Sequence, residues 1–341
     1  MNFVLKWGAE MITNDIDIVI PWVDDTDVSW RKKKAEFTNV EFIEGNEDVR
    51  YRDWDTLKYW FRGVEKFAPW VRNVYFITDN QKPEWLNINH PKLKWVKHTD
   101  YIPAEYLPTF NSHVIEWNIH RIEGLSERFV YFNDDVMLIN KTEPEDFFVD
   151  GLPCDSPCLG PLYPNGFFSY ILFNNINLLN RHFSLRKSIK SNPKKWIKGQ
   201  GLEGLFKLLY YGRRSLIPNS VSWHIYFNYN KKNFETLWEK EYEVIHETCK
   251  HKLRTKEDVS HYCVRDWQLF SNEFYPKKPV GEYFVTAELS NNDRLIECIE
   301  KQKCKIVCIN DTEDEVDFEE HKKRILAAFE KILPEKSSFE L

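Results

Sequence analysis

Apolar and polar positions alternate in two distinct rhythms along the first 135 residues, and their succession sets the fold expectation. Ile16 to Val23 (IDIVIPWV) is short, β-branched and bounded by acidic residues, which predicts a buried strand running into Asp24, Asp25, Thr26 and Asp27. Asp53 to Phe67 (DWDTLKYWFRGVEKF) places Leu57, Trp60, Phe61, Val64 and Phe67 at helical spacing, and Pro69 closes it. Val71 to Asp79 returns to a strand pattern, followed by a polar turn through Asn80 to Pro83, and Lys92 to Lys97 predicts a further strand. Ser112 to Ile122 reads as a helix with an N-cap serine and Gly124 as its stop. Arg128 to Phe132 then predicts a strand running directly into Asn133, Asp134 and Asp135.

Strand, helix, strand, helix, strand in this order argues for parallel βαβ units, whose ligands collect at the carboxyl ends of the strands. Three of the predicted strands end in Asp24, in Asp79 and in the Asn133-Asp134-Asp135 triplet. From residue 151 the pattern breaks into GLPCDSPCLGPLYPNG, rich in proline and glycine, which marks a loop or seam. Helix-compatible spacing follows at Phe167 to Phe183, Glu203 to Tyr211, Asn233 to Tyr242 and Lys256 to Ser271. The last part returns to β, α, β, α, either adding strands to the first sheet or forming a small unit of its own. The expectation is an α/β fold with a mostly parallel, Rossmann-like (GT-A-like) sheet flanked by helices and a helical second half. Residues 1–150 would bind donor and metal, 151–275 would complete the site, and 276–341 would form the C-terminal segment.

Composition narrows the partners. Aromatic residues make up 16% of the chain, too rich in large side chains for a disordered protein. Lys and Arg number 47 against 53 Asp and Glu, a formal charge of −6, so bulk basicity gives no reason to expect nucleic acid as a partner. The seven cysteines are odd in number and scattered, without the spacing of a zinc site, and read as reduced thiols. No signal-peptide pattern or membrane-spanning run occurs, so the expected location is cytoplasmic, with peripheral contact at the inner face of the membrane left open. One local exception is RKSIKSNPKKWIKG, residues 186–199, with six cations and no acid: a solvated loop, or a site for an anionic polymer or a lipid surface.

Paired aspartates after an apolar strand suit a hard divalent cation, Mg²⁺ or Mn²⁺, which is commonly shared with substrate phosphates. They also suit a plain capping turn. No GxxxxGK[ST] loop, strand-linked GxGxxG or GxSxG elbow is present, so phosphate recognition would fall to a metal, helix N-termini and cations such as Arg52, Arg121, Arg181 and Arg254. His224, within SWHIYFN, sits among aromatics, where a neutral imidazole could take a proton from a hydroxyl or simply be a satisfied core histidine. His113, three residues before Glu116, would share a helix face with it.

These residues fall in four ordered blocks, and the chain resembles the Stealth protein family. That family includes bacterial capsular-polysaccharide phosphotransferases and the catalytic subunit of lysosomal-enzyme N-acetylglucosamine-1-phosphotransferase. The first block is Asp17 to Asp27 (DIVIPWVDDTD), with Asp25 where the family pattern has glycine. The second runs from Arg50 to Asp53 (RYRD) through Ala68 to Arg72, Tyr75 to Gln81, Pro108 to Ser112, Glu116 and His120 to Ile122, ending at Tyr131 to Val136 (YFNDDV). The third is Asn177 to Asn180 and Pro218 to His224, lacking the first histidine of the family's pair, and the fourth is Lys252 to Val259 (KLRTKEDV).

The resemblance implies transfer of a sugar-1-phosphate from a nucleotide diphosphate sugar, UDP-linked, to a carbohydrate hydroxyl during capsule or exopolysaccharide synthesis. The acceptor would be an oligosaccharide or polysaccharide, free or lipid-linked. On that chemistry Asp135 and Asp134 hold Mg²⁺ or Mn²⁺ with Asp24 assisting, and His224 is the base with Glu116 as the second choice. Arg254 and Arg121 would offset phosphoryl charge, and Asp79, Asn133, Trp22 and Asp258 would position the donor. Two other readings stay open: a metal-dependent glycosyltransferase that releases nucleoside diphosphate, and a non-catalytic carbohydrate-binding protein, which the aromatic richness would suit.

Overall fold

The computed structural model describes residues 15–38, 53–286, 289–311 and 318–341. Arg50 and Arg52 of the second sequence block lie outside the described residues. The first sheet is built on β1 (Ile16–Pro21), β2 (Val74–Thr78), β3 (Leu93–Lys97) and β4 (Arg128–Phe132), all parallel. β5 (Val136–Leu138) follows β4 after the acidic turn, then come β6 (Phe148–Val149) and β7 (Leu152–Asp155). β8 (Tyr226–Asn230) returns antiparallel beside β4, giving the order β3-β2-β1-β4-β8.

Side-chain alternation explains why this sheet is buried on both faces. Ile16, Ile18 and Ile20 of β1, Val74 and Phe76 of β2, and Val130 and Phe132 of β4 face one core. Val19, Tyr75, Ile77, Phe129 and Tyr131, the intervening positions, face the other. The first face is covered by the helix Leu57–Phe67, the second by the helices Ser112–Asn118, Lys231–Lys240 and Tyr262–Phe270 among others. Asp17 is the one β1 position where an acidic side chain is buried: it accepts from Arg72 Nε at 2.9 Å and from the backbone amides of Asn73 and Ser126, so both carboxyl oxygens have protein partners.

The chain does not divide at the predicted seam. β8, from the half expected to be helical, is the fifth strand of the first sheet, and both cores draw residues from both sides of residue 150. The helix expected from Lys256 begins at Tyr262, because residues 251–259 are instead folded around the buried Asp258. The C-terminal part supplies β10 (Gly281–Val285) and β11 (Ile306–Asn310), after the short β9 (Tyr275–Pro276), which pairs with β7. β10 runs parallel to β11, and β11 pairs antiparallel with β5, so the C-terminal segment neither joins the first sheet nor stands apart. It forms a second sheet with the strand that leaves the acidic turn, and its helices close the first core through Leu295, Ile325 and Phe329.

Sheet order places the two central strands, β1 and β4, side by side with their successors leaving in opposite directions. Such a switch point opens a crevice at the carboxyl ends of the strands, and here those ends carry Asp24 and the Asn133-Asp134-Asp135 triplet.

Candidate functional site

The turn after β1 is built by hydrogen bonds. Asp24 Oδ1 accepts from the Thr26 amide at 2.9 Å and the Thr26 hydroxyl at 2.6 Å. Gln81, from the end of β2, accepts from the Asp24 amide at 3.0 Å and donates to the Asp24 carbonyl at 2.9 Å and to Asp27 at 3.2 Å. Asp27 caps the helix Val28–Phe37 through Ser29 and Trp30, and hydrogen bonds from Ser29 and Gln81 hold its carboxyl down at about 2. One oxygen of Asp24 is therefore spent on its own turn.

Across the crevice, the turn after β4 concentrates negative charge. Asp134 is exposed to solvent yet surrounded closely by protein, and this desolvation, with the charges of Asp135 and Asp53, raises its carboxyl to about 7. Asp53, at the foot of the helix Leu57–Phe67, is itself raised, first by burial and then by Asp55 and Asp24. Negative charge from Asp135 and Asp53 thus bears on Asp134, and from Asp55 and Asp24 on Asp53, where the two strands end. Asp135 is raised chiefly by burial, with His224 and the Cys308 thiol opposing. Its Oδ2 accepts from Cys308 Sγ at 3.4 Å, while its buried Oδ1 has no hydrogen-bond partner.

His224 reaches this carboxylate from the segment before β8. A side-chain atom from each of Asp135, His224 and Cys308 lies within 4.8 Å of the other two. His224 holds a left-handed backbone, φ +48°, with its amide on the Ser222 hydroxyl at 3.1 Å. A bulky residue in that region costs conformational energy, a pattern that concentrates at functional sites. The ring Nδ1 is 2.7 Å from the Tyr262 hydroxyl, and Tyr283 of β10 packs against it edge-on at 5.5 Å. Burial drives the Cys308 thiol well above its ordinary value, so it stays protonated and serves Asp135 as a donor.

Behind His224 lies a second cluster, centred on Glu116. One oxygen of Glu116 accepts from the Tyr131 hydroxyl at 3.1 Å, and the other lies 3.3 Å from His113 Nδ1 and 3.6 Å from His261 Nε2. Burial alone would raise this carboxyl, but His261, the His113 hydrogen bond and the Arg254 charge outweigh it and hold Glu116 below its ordinary value. Burial pushes His261 down to about 4, so it is neutral at physiological pH, with Tyr229 on its Nδ1 at 2.8 Å. Arg254 sits beside this group with a guanidinium nitrogen 2.8 Å from the Ser112 hydroxyl.

Some expected site residues have other duties. Arg121 lies at the far end of its helix, before the amino end of β4, where it donates to Asn118 at 2.9 Å and stacks over Trp238 at 4.9 Å. It is therefore at the wrong end of the sheet to meet phosphate bound at the acidic turn. Asp258 is fully buried, with one oxygen on Asn111 and the Thr255 amide and the other on His251 and the Thr255 hydroxyl, so it organises the loop rather than facing a ligand. Trp22 stacks on Phe76 at 5.7 Å, half-buried against the core. Asp79 stands at the end of β2 in an ion pair with Lys33 at 3.3 Å, and Asn133 is half-buried at the turn. Sequence reasoning passed over Tyr262, His261, Tyr283 and Cys308, whose places depend on pairings across the chain, and gave no role to Asp53 although its block was recognised.

The fold and this site define an α/β protein with a carboxylate- and histidine-lined crevice at the switch point of a parallel sheet. Residues 50–154 match the family model described as Stealth protein CR2, conserved region 2. The chain is 42% identical over 331 residues to a capsular polysaccharide phosphotransferase, WcwK, of Streptococcus pneumoniae, covering 95% of this chain and 98% of the relative. It is 39% identical to the receptor polysaccharide phosphotransferase WefC of Streptococcus gordonii, covering 96% and 99%. An exopolysaccharide phosphotransferase of Lactiplantibacillus plantarum is 35% identical, with 96% of each chain covered. The chain belongs to the Stealth family. Among solved structures, the apo-form glycosyltransferase GlyE of Streptococcus pneumoniae is similar at 9% identity over 92% of this chain and 78% of that one, with a TM-score of 0.26 that carries no weight for fold or function.

Proposed function

We propose that this chain transfers a sugar-1-phosphate from a UDP-linked sugar to a hydroxyl of an oligosaccharide or polysaccharide acceptor, forming a phosphodiester of a capsule or exopolysaccharide. The observation that carries the reading is the meeting of His224 with Asp135, whose buried Oδ1 lacks a partner, at the carboxyl ends of the parallel strands. Relatives named as polysaccharide phosphotransferases over nearly the whole chain support the reaction class.

The donor set fits a hard divalent cation, Mg²⁺ or Mn²⁺. Asp135 offers an unused oxygen, and desolvation with the neighbouring Asp135 and Asp53 charges raises the Asp134 carboxyl to about 7, a strain a bound cation would relieve. Asp135 and Asp134 would hold the ion, with Asp24 and Asp53 nearby. When bound, it would supply charge neutralisation on the diphosphate.

The chain's own groups do the remainder. In the tautomer whose Nδ1–H donates to the Tyr262 oxygen, His224 Nε2 carries the lone pair needed to take the acceptor's hydroxyl proton. The acceptor oxygen bonds to the sugar-bearing phosphorus, the bond from that phosphorus to the bridging oxygen breaks, and UMP leaves with the electron pair. Arg254 would compensate charge on the phosphoryl oxygens. Glu116 is saturated by Tyr131, His113 and His261, which suits it to orienting the buried histidines better than to serving as the base.

The test is a panel of UDP-sugars and acceptors with Mg²⁺ or Mn²⁺, read by nucleotide release and ³¹P NMR of the product. UMP with phosphorus retained in the product is expected. UDP release would overturn the reading in favour of glycosyl transfer, and binding without turnover across the panel would favour a carbohydrate-binding protein.

A further inference from the structure

Twelve of the seventeen large apolar side chains left exposed among the described residues fall between Tyr163 and Trp223. They are most concentrated on the helix Leu202–Tyr211, which buries none of its residues. Leu202, Phe206, Leu209 and Tyr210 are each more than 60% exposed and recur at the i, i+4, i+7, i+8 spacing of one helical face. Ile197 and Leu216, just before and just after this helix, are exposed as well. A helix with an apolar stripe turned outward has no reason to form in water unless something covers that stripe.

The surrounding charge says what would. Residues 163–223 hold ten Lys and Arg against a single acid, Glu203, in a chain whose formal charge is −6. Glu203 is itself paired with Lys207 at 2.7 Å. Arg186, Lys187, Lys190 and Lys194 on the two preceding short helices are exposed, as are Arg213 and Arg214 after the helix. An outward apolar stripe flanked by cations is the arrangement of a helix that lies in a bilayer interface, with its apolar face among the acyl chains and its cations at anionic headgroups. An anionic polymer would satisfy the cations but leave Leu202, Phe206 and Leu209 in water. Among the described residues no helix is long and apolar enough to cross a membrane, so contact would be at the surface.

We propose that the helix Leu202–Tyr211 and the basic segment around it form a docking surface for an anionic lipid bilayer. One exposed aromatic of the same 163–223 stretch, on a different helix, touches the reaction site. The exposed Phe168 packs edge-on against Tyr262 at 5.5 Å, and the Tyr262 hydroxyl holds His224. The surface itself stands on exposure and charge and is independent of the reaction proposed above.

Flotation of the full chain with vesicles of phosphatidylcholine, with and without phosphatidylglycerol, tests it. The chain is expected to float with the anionic vesicles only. The triple variant Leu202→Ser, Phe206→Ser, Leu209→Ser is expected to lose at least about tenfold in partitioning, and Lys187→Gln, Lys190→Gln, Lys194→Gln to lose the preference for phosphatidylglycerol. Circular dichroism and thermal melting should be unchanged in both, since none of these six side chains is buried. A wild-type chain that stays behind with anionic vesicles, or a serine variant that floats as well as wild type, would overturn the proposal. So would binding to soluble polyglutamate in place of vesicles, unaffected by the serine changes, since the basic run would then read a polymer.

Discussion

The Asp135 carboxylate and the Cys308 thiol, 173 positions apart in sequence, meet at 3.4 Å, with β11 delivering the thiol to the turn that β4 creates. Cys308 therefore fixes one oxygen of the proposed metal ligand while leaving the other free. Its raised thiol makes it a poor ligand for Mg²⁺ but an available one for a soft ion that can displace the proton. In a Cys298→Ser, Cys304→Ser background, which removes the other thiol pair, Cd²⁺ is expected to produce thiolate-to-metal absorption that Cys308→Ala abolishes, while Cys308→Ala alone retains most of its Mg²⁺-supported turnover. An unchanged Cd²⁺ spectrum in the variant would separate Cys308 from the ion.

The raised carboxyl of Asp134 makes cation binding a matter of pH. Its folded value of about 7 lies above the ordinary 3.8, so the folded state holds a proton that the unfolded state has lost, and its contribution to stability falls as pH rises between those values. A bound cation would take the proton's place. Mn²⁺ should raise Tm more at about pH 8 than at about pH 5.5, and Asp134→Asn should flatten that difference. Equal shifts at both pH values in wild type would count against a metal at this carboxylate.

Removing the proposed base is expected to lower kcat by roughly 10²- to 10⁴-fold while leaving donor affinity close to wild type. His224→Ala, measured by turnover and by calorimetric binding of the UDP-sugar, decides it. Near-normal turnover would assign the proton to another group.

Three buried histidines predict acid sensitivity of the fold. Burial leads the causes that lower His98 to about 4, His120 to about 3 and His261 to about 4. The unfolded chain takes up these protons near 6.5 and the folded chain does not, so their contribution to stability is full above that pH and drains away below it. The urea midpoint should fall as pH is lowered from about 6.5 toward about 4, and His120→Gln should lessen the slope.

Gly63 lets the helix Leu57–Phe67 approach β5, the strand that leaves the acidic turn. A Cβ there would stand 2.8 Å from the Leu138 carbonyl oxygen, so backbone has to move. Gly63→Ala is expected to cost about 1–3 kcal/mol in denaturant unfolding, despite alanine's better helix propensity. A gain in stability would show that the strand yields freely.

The sequence by itself determined the strands β1 to β4, the helices Leu57–Phe67 and Ser112–Asn118 and the placing of Asp24, Asp79 and the Asn133-Asp134-Asp135 triplet at strand ends, but not the helix Val28–Phe37 that follows β1. Those features follow from local periodicity and from the rule that parallel strands need crossovers. The residues near one another along the chain that mark the family blocks were legible for the same reason. Only the tertiary structure decided what stands around the carboxylates. β8 (YFNYN) is only five residues long, and although Phe227 and Tyr229 alternate with Asn228 and Asn230, all five are buried, so its polar positions mark no solvent face and its place in the sheet was not legible locally. The Tyr262–His224 and Cys308–Asp135 contacts arise from pairings between distant segments, which periodicity cannot register. Arg121 and Asp258 illustrate the converse: a residue's type and its place in a motif do not show which end of the sheet it occupies or whether its oxygens are already spent. Charge and chemistry are written locally, but the direction each side chain faces is set by what packs behind it.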